Sequence, residues 1–209
     1  VIPFDAMWLR LNQLIKPNGA IVLFGSEPFS SMLRVSNLKN YKYDWVWDKV
    51  NRPTGHLNAK KQPMRQVEDV VVFYSAQSTY NPQKTQGSRY RATGSKISDN
   101  YGKQVRSTTI CDDGMRYPRN LLSIPADERG TVGRIHPTQK PVALMEYLIK
   151  TYTNEGELVL DFTMGSGTTC VAAYNTSRKC IGIEMDDKYF EVAKQRVSDA
   201  INTKASQLF

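Results

Sequence analysis

Two carboxylates flank a glycine turn late in this sequence. Asp161 ends the apolar run Leu158-Val159-Leu160, Gly165-Ser166-Gly167 follows, and Glu184 ends a second run, Cys180-Ile181-Gly182-Ile183. The glycines let the chain bend sharply and let a ligand approach the main chain. A carboxylate at a strand tip can accept hydrogen bonds from two vicinal ribose hydroxyls, and both NAD and S-adenosylmethionine carry such a ribose. Asp161 separates the two: it would repel a pyrophosphate seated on the turn, whereas it attracts the ammonium and sulfonium of the methyl donor. Cys170 also stands where a dinucleotide fingerprint expects its third small residue. A plain βαβ unit with a tight turn accounts for Gly165 and Gly167, but it gives no reason for an acid at both strand ends.

Positioning this turn requires strand, helix and strand over 157–184. Thr168 to about Ser177 reads as the helix, and Asp186 caps a last helix with Phe190, Ala193, Val197 and Ile201 on one face. Upstream, Phe4, Met7, Trp8, Leu11 and Leu14 or Ile15 recur at helical spacing after Pro3, and Pro17-Asn18-Gly19 ends that helix. Ala20–Phe24 is a continuous apolar run, expected to be a strand buried on both faces of a parallel sheet. Residues 28–37 read as a short helix, Asp44–Trp47 and Asp69–Tyr74 as strands. Pro141 opens a helix with Val142, Met145, Leu148 or Ile149, and Tyr152 on its apolar face.

Charge points to a polyanion. The 209 residues carry a net charge of +8. Residues 76–134 hold ten basic side chains against five acidic ones and show little apolar periodicity. Clustered cations gain affinity for phosphates by releasing counterions. A second basic cluster, Lys49, Arg52, Lys60, Lys61 and Arg65, has no acid between Lys49 and Val67. The odd set Cys111, Cys170 and Cys180 argues against a disulfide framework and for a reducing compartment, with cytoplasm the default. No apolar run is long enough to span a bilayer, so no membrane partner is expected.

Leu158-Val159-Leu160-Asp161-Phe162-Thr163-Met164-Gly165-Ser166-Gly167-Thr168-Thr169 resembles the cofactor motif of DNA amino-methyltransferases, the N6-adenine/N4-cytosine family, which usually has Asp-Pro-Phe ahead of its glycines. His136-Pro137-Thr138-Gln139-Lys140-Pro141 is similar to the family motif that serves the methionine end of the cofactor, and Glu184-Met185-Asp186 is similar to its ribose and adenine contacts. The resemblance implies an α/β, Rossmann-like S-adenosylmethionine-dependent methyltransferase fold, with a mostly parallel sheet, helices on both faces and a circularly permuted motif order. It implies a catalytic-side half at 1–75, a basic target-recognition insertion at 76–134 and an S-adenosylmethionine-binding half at 135–209. His136, Thr138, Lys140, Asp161, Phe162, Thr163, Gly165, Ser166, Gly167, Thr168, Thr169, Glu184 and Met185 are then expected at the cofactor. Double-stranded DNA with its target base flipped out is the expected partner, and a restriction endonuclease the expected counterpart in function. Lys49, Arg52, Lys60, Lys61 and Arg65 are expected along the DNA backbone, and Arg89, Arg91, Arg106, Arg116 and Arg119 at phosphates or base edges.

The family's catalytic motif, Asp, Asn or Ser before Pro-Pro and an aromatic residue, occurs nowhere in the sequence, so no catalytic residue is assigned. Phe24-Gly25-Ser26-Glu27-Pro28-Phe29 comes nearest but follows the wrong strand. Val1 is not an initiator methionine. The expectation is a missing N-terminal segment of roughly 30–50 residues, one to two strand–helix units, whose strand lies between Leu158–Phe162 and Ala20–Phe24. Tyr74 or Phe73 is a candidate to pack on a flipped base, with core packing the preferred reading for Phe73. Two rival readings stand beside methylation of adenine N6 or cytosine N4: a truncated relic that only binds cofactor or DNA, and a nicotinamide-dependent oxidoreductase, which Asp161 disfavours.

Overall fold

The computed structural model describes residues 2–50, 52–93, 97–98, 102–103, 108–127, 136 and 138–206. They fall into two compact units, a small one spanning Pro82–Arg119 and a larger one from the rest of the chain.

The larger unit begins with α1 (Phe4–Leu14), β1 (Ile21–Gly25), α2 (Phe29–Ser36), β2 (Tyr41–Asp48) and β3 (Val67–Phe73). After the small unit it continues with β10 (Leu121–Ser123), α3 (Val142–Tyr152), β11 (Leu158–Asp161), α4 (Thr168–Asn175), β12 (Lys179–Gly182) and α5 (Asp187–Ser206). One sheet runs in the order β1-β3-β2-β10, and β11 and β12 form a second, parallel pair.

β3 lies inside the first sheet, between β1 and β2, and sends apolar side chains to both faces. Val70, Val71, Val72 and Phe73 are all 0% exposed. Alternation sends Val70 and Val72 to one face, where Trp45, Trp47 and Leu122 meet Leu144, Leu148 and Tyr152 of α3. Val71 and Phe73 point the other way, into Trp8 and Leu11 of α1 and Leu33 of α2. Each such side chain contributes about 1.5–3 kcal/mol on burial. Polar groups on the α3 side are paired: Trp45 Nε1 donates to the Tyr152 hydroxyl at 2.6 Å, and the Tyr43 hydroxyl lies 3.0 Å from that oxygen. Burial pushes the Tyr152 phenol well above its usual range. A further cluster, Ile149, Ala172 and Ala173 with Val142, Met145, Val159 and Cys180, joins α3 and α4 to the second sheet.

Two expectations change here. β1 pairs antiparallel with β3, Ile21 opposite Phe73 and Gly25 opposite Asp69. Its side chains from Ile21 to Phe24 are half-buried, not enclosed on both faces. Among the described residues β1 has no strand on its outer edge, and β11 has only β12 as a neighbour. Both apolar runs thus stop short of the burial their composition calls for.

The small unit contains β4 (Thr85–Gln86), β5 (Tyr90–Thr93), β6 (Ile97–Ser98), β7 (Gly102–Lys103), β8 (Thr108–Cys111) and β9 (Met115–Arg116), paired antiparallel as β4-β9, β5-β8 and β6-β7. Strands of two to four residues bury little, and cation–aromatic contacts help to hold them. Arg116 lies over the Tyr90 ring at 4.3 Å and also donates to the Ser88 carbonyl. Lys84 lies over Tyr117 at 4.4 Å.

Candidate functional site

The glycine turn is built by hydrogen bonds that close it upon itself. Gly165 and Gly167 have φ of +54° and +77°, the left-handed region that favours glycine. Gly167 is the residue before α4, and its N–H donates to the Met164 carbonyl at 2.9 Å. Asp161 Oδ1 accepts from the Thr163 N–H at 3.0 Å, and Oδ2 accepts from the Thr169 hydroxyl at 2.5 Å. Glu184 reaches back across the turn. Its Oε2 accepts from the Gly165 N–H at 2.9 Å, and Oε1 accepts from the Met185 and Asp186 N–H groups at 2.9 and 3.0 Å. The Asp186 amide, then those of Gly165 and Met185, with the His136 ring nearby, hold its carboxyl below the usual carboxylate range. A carboxylate offers about four acceptor sites. Three are taken, so one remains for a ligand hydroxyl unless an amide is displaced.

The remaining residues expected around the cofactor divide by location. The His136 ring stacks edge-on against Tyr189 at 4.2 Å and lies 3.5 Å from where a Cβ on Gly165 would stand. The Thr138 hydroxyl is 3.1 Å from His136 Nδ1. Met185, 95% exposed, projects beside Glu184, and Thr163 is exposed as well. Ser166, Thr168 and Thr169 are buried and occupied in building the turn. Phe162 packs with Trp8, Leu33 and Phe73 in the core, so its side chain serves the fold. Lys140 lies 2.6 Å from Glu68 and over the Phe24 ring at 5.0 Å, which commits its charge to another carboxylate.

Three residues that sequence reasoning missed complete the arrangement. Arg196 of α5 donates through Nη1 to the Ser166 carbonyl at 2.6 Å, the Ser166 hydroxyl at 2.9 Å and the Thr168 hydroxyl at 3.2 Å. Burial lowers its pKa, and the charge of Asp127 opposes that shift. Gln139 accepts from the Ser166 hydroxyl at 2.8 Å and donates to Asp127 at 2.7 Å. Glu68, at the start of β3, binds Lys140 and also Lys49, at 3.1 Å. The only sequence signal for it was an acid opening an apolar strand directly after an acid-free basic stretch.

Lys49 therefore needs correction as a backbone contact: at 8% exposure and ion-paired, it is part of the interior. Lys60, Lys61 and Arg65 are exposed on a loop pinned at its base by the Thr54–Arg65 bridge, and Arg52 is half-buried. In the small unit Arg89, Arg91 and Arg119 are exposed. Arg116 is partly buried and engaged with Tyr90 and Cys111, its Nη1 2.9 Å from Sγ. Arg106 lies outside the described residues. Phe73 is core, 4.8 Å from the Trp8 ring, and Tyr74 follows it at the end of β3 that meets the start of β1. The antiparallel course of β3 carries both away from the strand ends where ligands bind in such folds.

The family model described as DNA methylase matches residues 4–195. The type II methyltransferase M.HpaI of Haemophilus parainfluenzae is 45% identical over 205 residues, 96% of this chain and 60% of that protein. The chain spans less than two thirds of the length of the curated relatives it matches first. The crystal structure of the M1.HpyAVI–SAM complex superposes with a TM-score of 0.66 at 30% identity, covering 93% of this chain and 84% of that one. The cytosine-N4-specific PvuII DNA methyltransferase shares the fold at 20% identity, with a TM-score of 0.61 over 95% of this chain and 75% of its own. Matched by that family model over nearly its whole length, the chain belongs to the DNA methylase family.

Proposed function

We propose that this chain binds S-adenosylmethionine at the Asp161–Gly165–Glu184 turn and belongs to a methyltransferase acting on an exocyclic amine of double-stranded DNA, adenine N6 before cytosine N4. The observation that carries the reading is the pair of carboxylates joined through the turn, Asp161 by Thr163 and Thr169, Glu184 by Gly165. This donor set fits a cation. Among the described residues, Lys140 is spent on Glu68 and Arg196 on the turn's own oxygens, so neither is free to offset the repulsion a pyrophosphate would meet from the carboxylates. Glu184 has capacity for one ribose hydroxyl, with Met185 and the His136–Tyr189 pair beside it. When bound, S-adenosylmethionine supplies an electrophilic methyl group. The chain's own contribution is orientation: Asp161 faces positive charge, Glu184 fixes the sugar, and Arg196 keeps the turn rigid from below.

The DNA part of the proposal rests on exposed Lys60, Lys61, Arg65, Arg89, Arg91 and Arg119. A base flipped from the duplex and a matching restriction endonuclease complete it. The half-buried outer edges of β1 and β11 support one more element, a strand seated between them, since open apolar edges invite pairing. Calorimetry with S-adenosylmethionine and NAD tests the cofactor. Absence of affinity for the former, or preference for the latter, would falsify the reading. Labelled methyl transfer to DNA, with and without a strand-supplying segment joined to the N-terminus, tests the seam. Digestion of the product to nucleosides assigns N6-methyladenine or N4-methylcytosine.

A further inference from the structure

Three sulfurs meet beneath the glycine turn. Cys170 belongs to the first turn of α4, next to the Thr169 that binds Asp161, and Cys180 belongs to β12 opposite Val159 of β11. Their sulfurs are 2.8 Å apart. Met164 supplies the third: a Cβ built on Gly182 would stand 2.2 Å from Met164 Sδ and 2.9 Å from Cys170 Sγ, so the glycine at 182 leaves the cluster its space. Both cysteines are free and half-buried. Methyl transfer makes no use of either thiol.

We propose that Cys170 and Cys180 are an oxidation site, converted by a hydroperoxide into an intramolecular disulfide that staples α4 to β12. A disulfide needs an S–S separation of about 2.05 Å, so the sulfurs must approach by less than about 1 Å and the two elements stay where they are. The hydrogen bond shared by the two thiols lowers the pKa of Cys170 and, with burial, raises that of Cys180. Cys170 is therefore the attacking sulfur. Its thiolate takes one peroxide oxygen as the O–O bond breaks; the other oxygen leaves as hydroxide and gains a proton. Cys180 gives up its proton and attacks the Cys170 sulfur, and the sulfenic oxygen departs as water. Two thiols lose two electrons and two protons, and the peroxide becomes two waters. The link closes a short loop that contains most of α4, directly under the proposed cofactor turn.

The test treats the intact chain carrying Cys111→Ser with hydrogen peroxide, then alkylates it in denaturant. The expected product is lighter by two hydrogens, resists alkylation at both cysteines and yields a peptide joining Cys170 to Cys180. Its melting temperature is higher by about 5–10 °C, and dithiothreitol reverses both changes. Adding Cys180→Ser abolishes the crosslink. Wild-type protein mapped in the same way reports the linkage even if Cys111→Ser fails to fold. Recovery of both thiols with an added oxygen on Met164, or of crosslinks joining two chains, overturns the proposal.

Discussion

Replacing Gly167 by alanine separates backbone strain from steric exclusion at the heart of the turn. With φ at +77°, any side chain there costs about 1–2 kcal/mol for the left-handed conformation. Its Cβ would also stand 2.8 Å from Ala193 Cβ, 3.0 Å from Ala193 Cα and 3.3 Å from the Ala193 carbonyl oxygen. Two of those atoms are helix backbone and cannot swing aside, so overpacking adds about 1–3 kcal/mol. The sum is a loss of about 2–5 kcal/mol, a large part of the stability of an ordinary domain. Gly156 supplies the control. Its φ is +79°, yet a Cβ there meets nothing within 4 Å, so Gly156→Ala carries the strain alone. In urea titrations with unchanged slope, Gly167→Ala is expected to lower the midpoint by about 1–2 M, and Gly156→Ala by less than half as much. Equal shifts in the two variants would show that close packing of α5 on the turn contributes nothing, and would refute the account.

Other outcomes follow from the same contacts. Glu68→Gln leaves Lys49 and Lys140 without their shared counter-charge in a mostly buried place, and is expected to destabilise by about 3 kcal/mol. Lys140→Met, which leaves Glu68 its partner Lys49, costs less; denaturation midpoints in the reverse order would contradict the pairing. Tyr152→Phe strips Trp45 Nε1 of its acceptor and is expected to cost about 1–3 kcal/mol by thermal unfolding. Glu27 accepts hydrogen bonds from Ser31 and Arg34, which lower its pKa from 4.5 to about 2. A depressed folded-state pKa means its contribution is complete above 4.5 and disappears as pH falls toward 2. An NMR titration of its carboxyl carbon with a midpoint near 4.5 would remove that contribution.

The elements around the turn were legible because their signals are local. A three-residue apolar run, an acid and two glycines lie within ten residues of one another, α4 and β12 appear within two residues of their expected bounds, and α5 begins directly after Asp186, its expected cap. Partners distant in sequence were not legible. Arg196 binds Ser166 from thirty positions away, and nothing in α5 marks that arginine as different from a solvated cation. Lys49 looked like its basic neighbours because charge carries no record of burial. Strand direction was equally hidden. An apolar run reads the same in either sense, so the antiparallel course of β3 put its start, with Glu68, and not Tyr74, beside the C-terminal end of β1. Residues 76–134 gave no periodicity because strands of two to four residues are shorter than a pattern can be.

The three hydrogen bonds from Arg196 make the last helix a mechanical part of a loop that precedes it in sequence. Engineering of this protein at its C-terminal side is therefore constrained by residue 196. Tags, fusion partners or surface redesign are tolerable on the outward positions of α5, but a change that rotates or shortens the helix ahead of that arginine withdraws the pin from the turn. A loss of ligand affinity would then arise from damage placed well outside any motif.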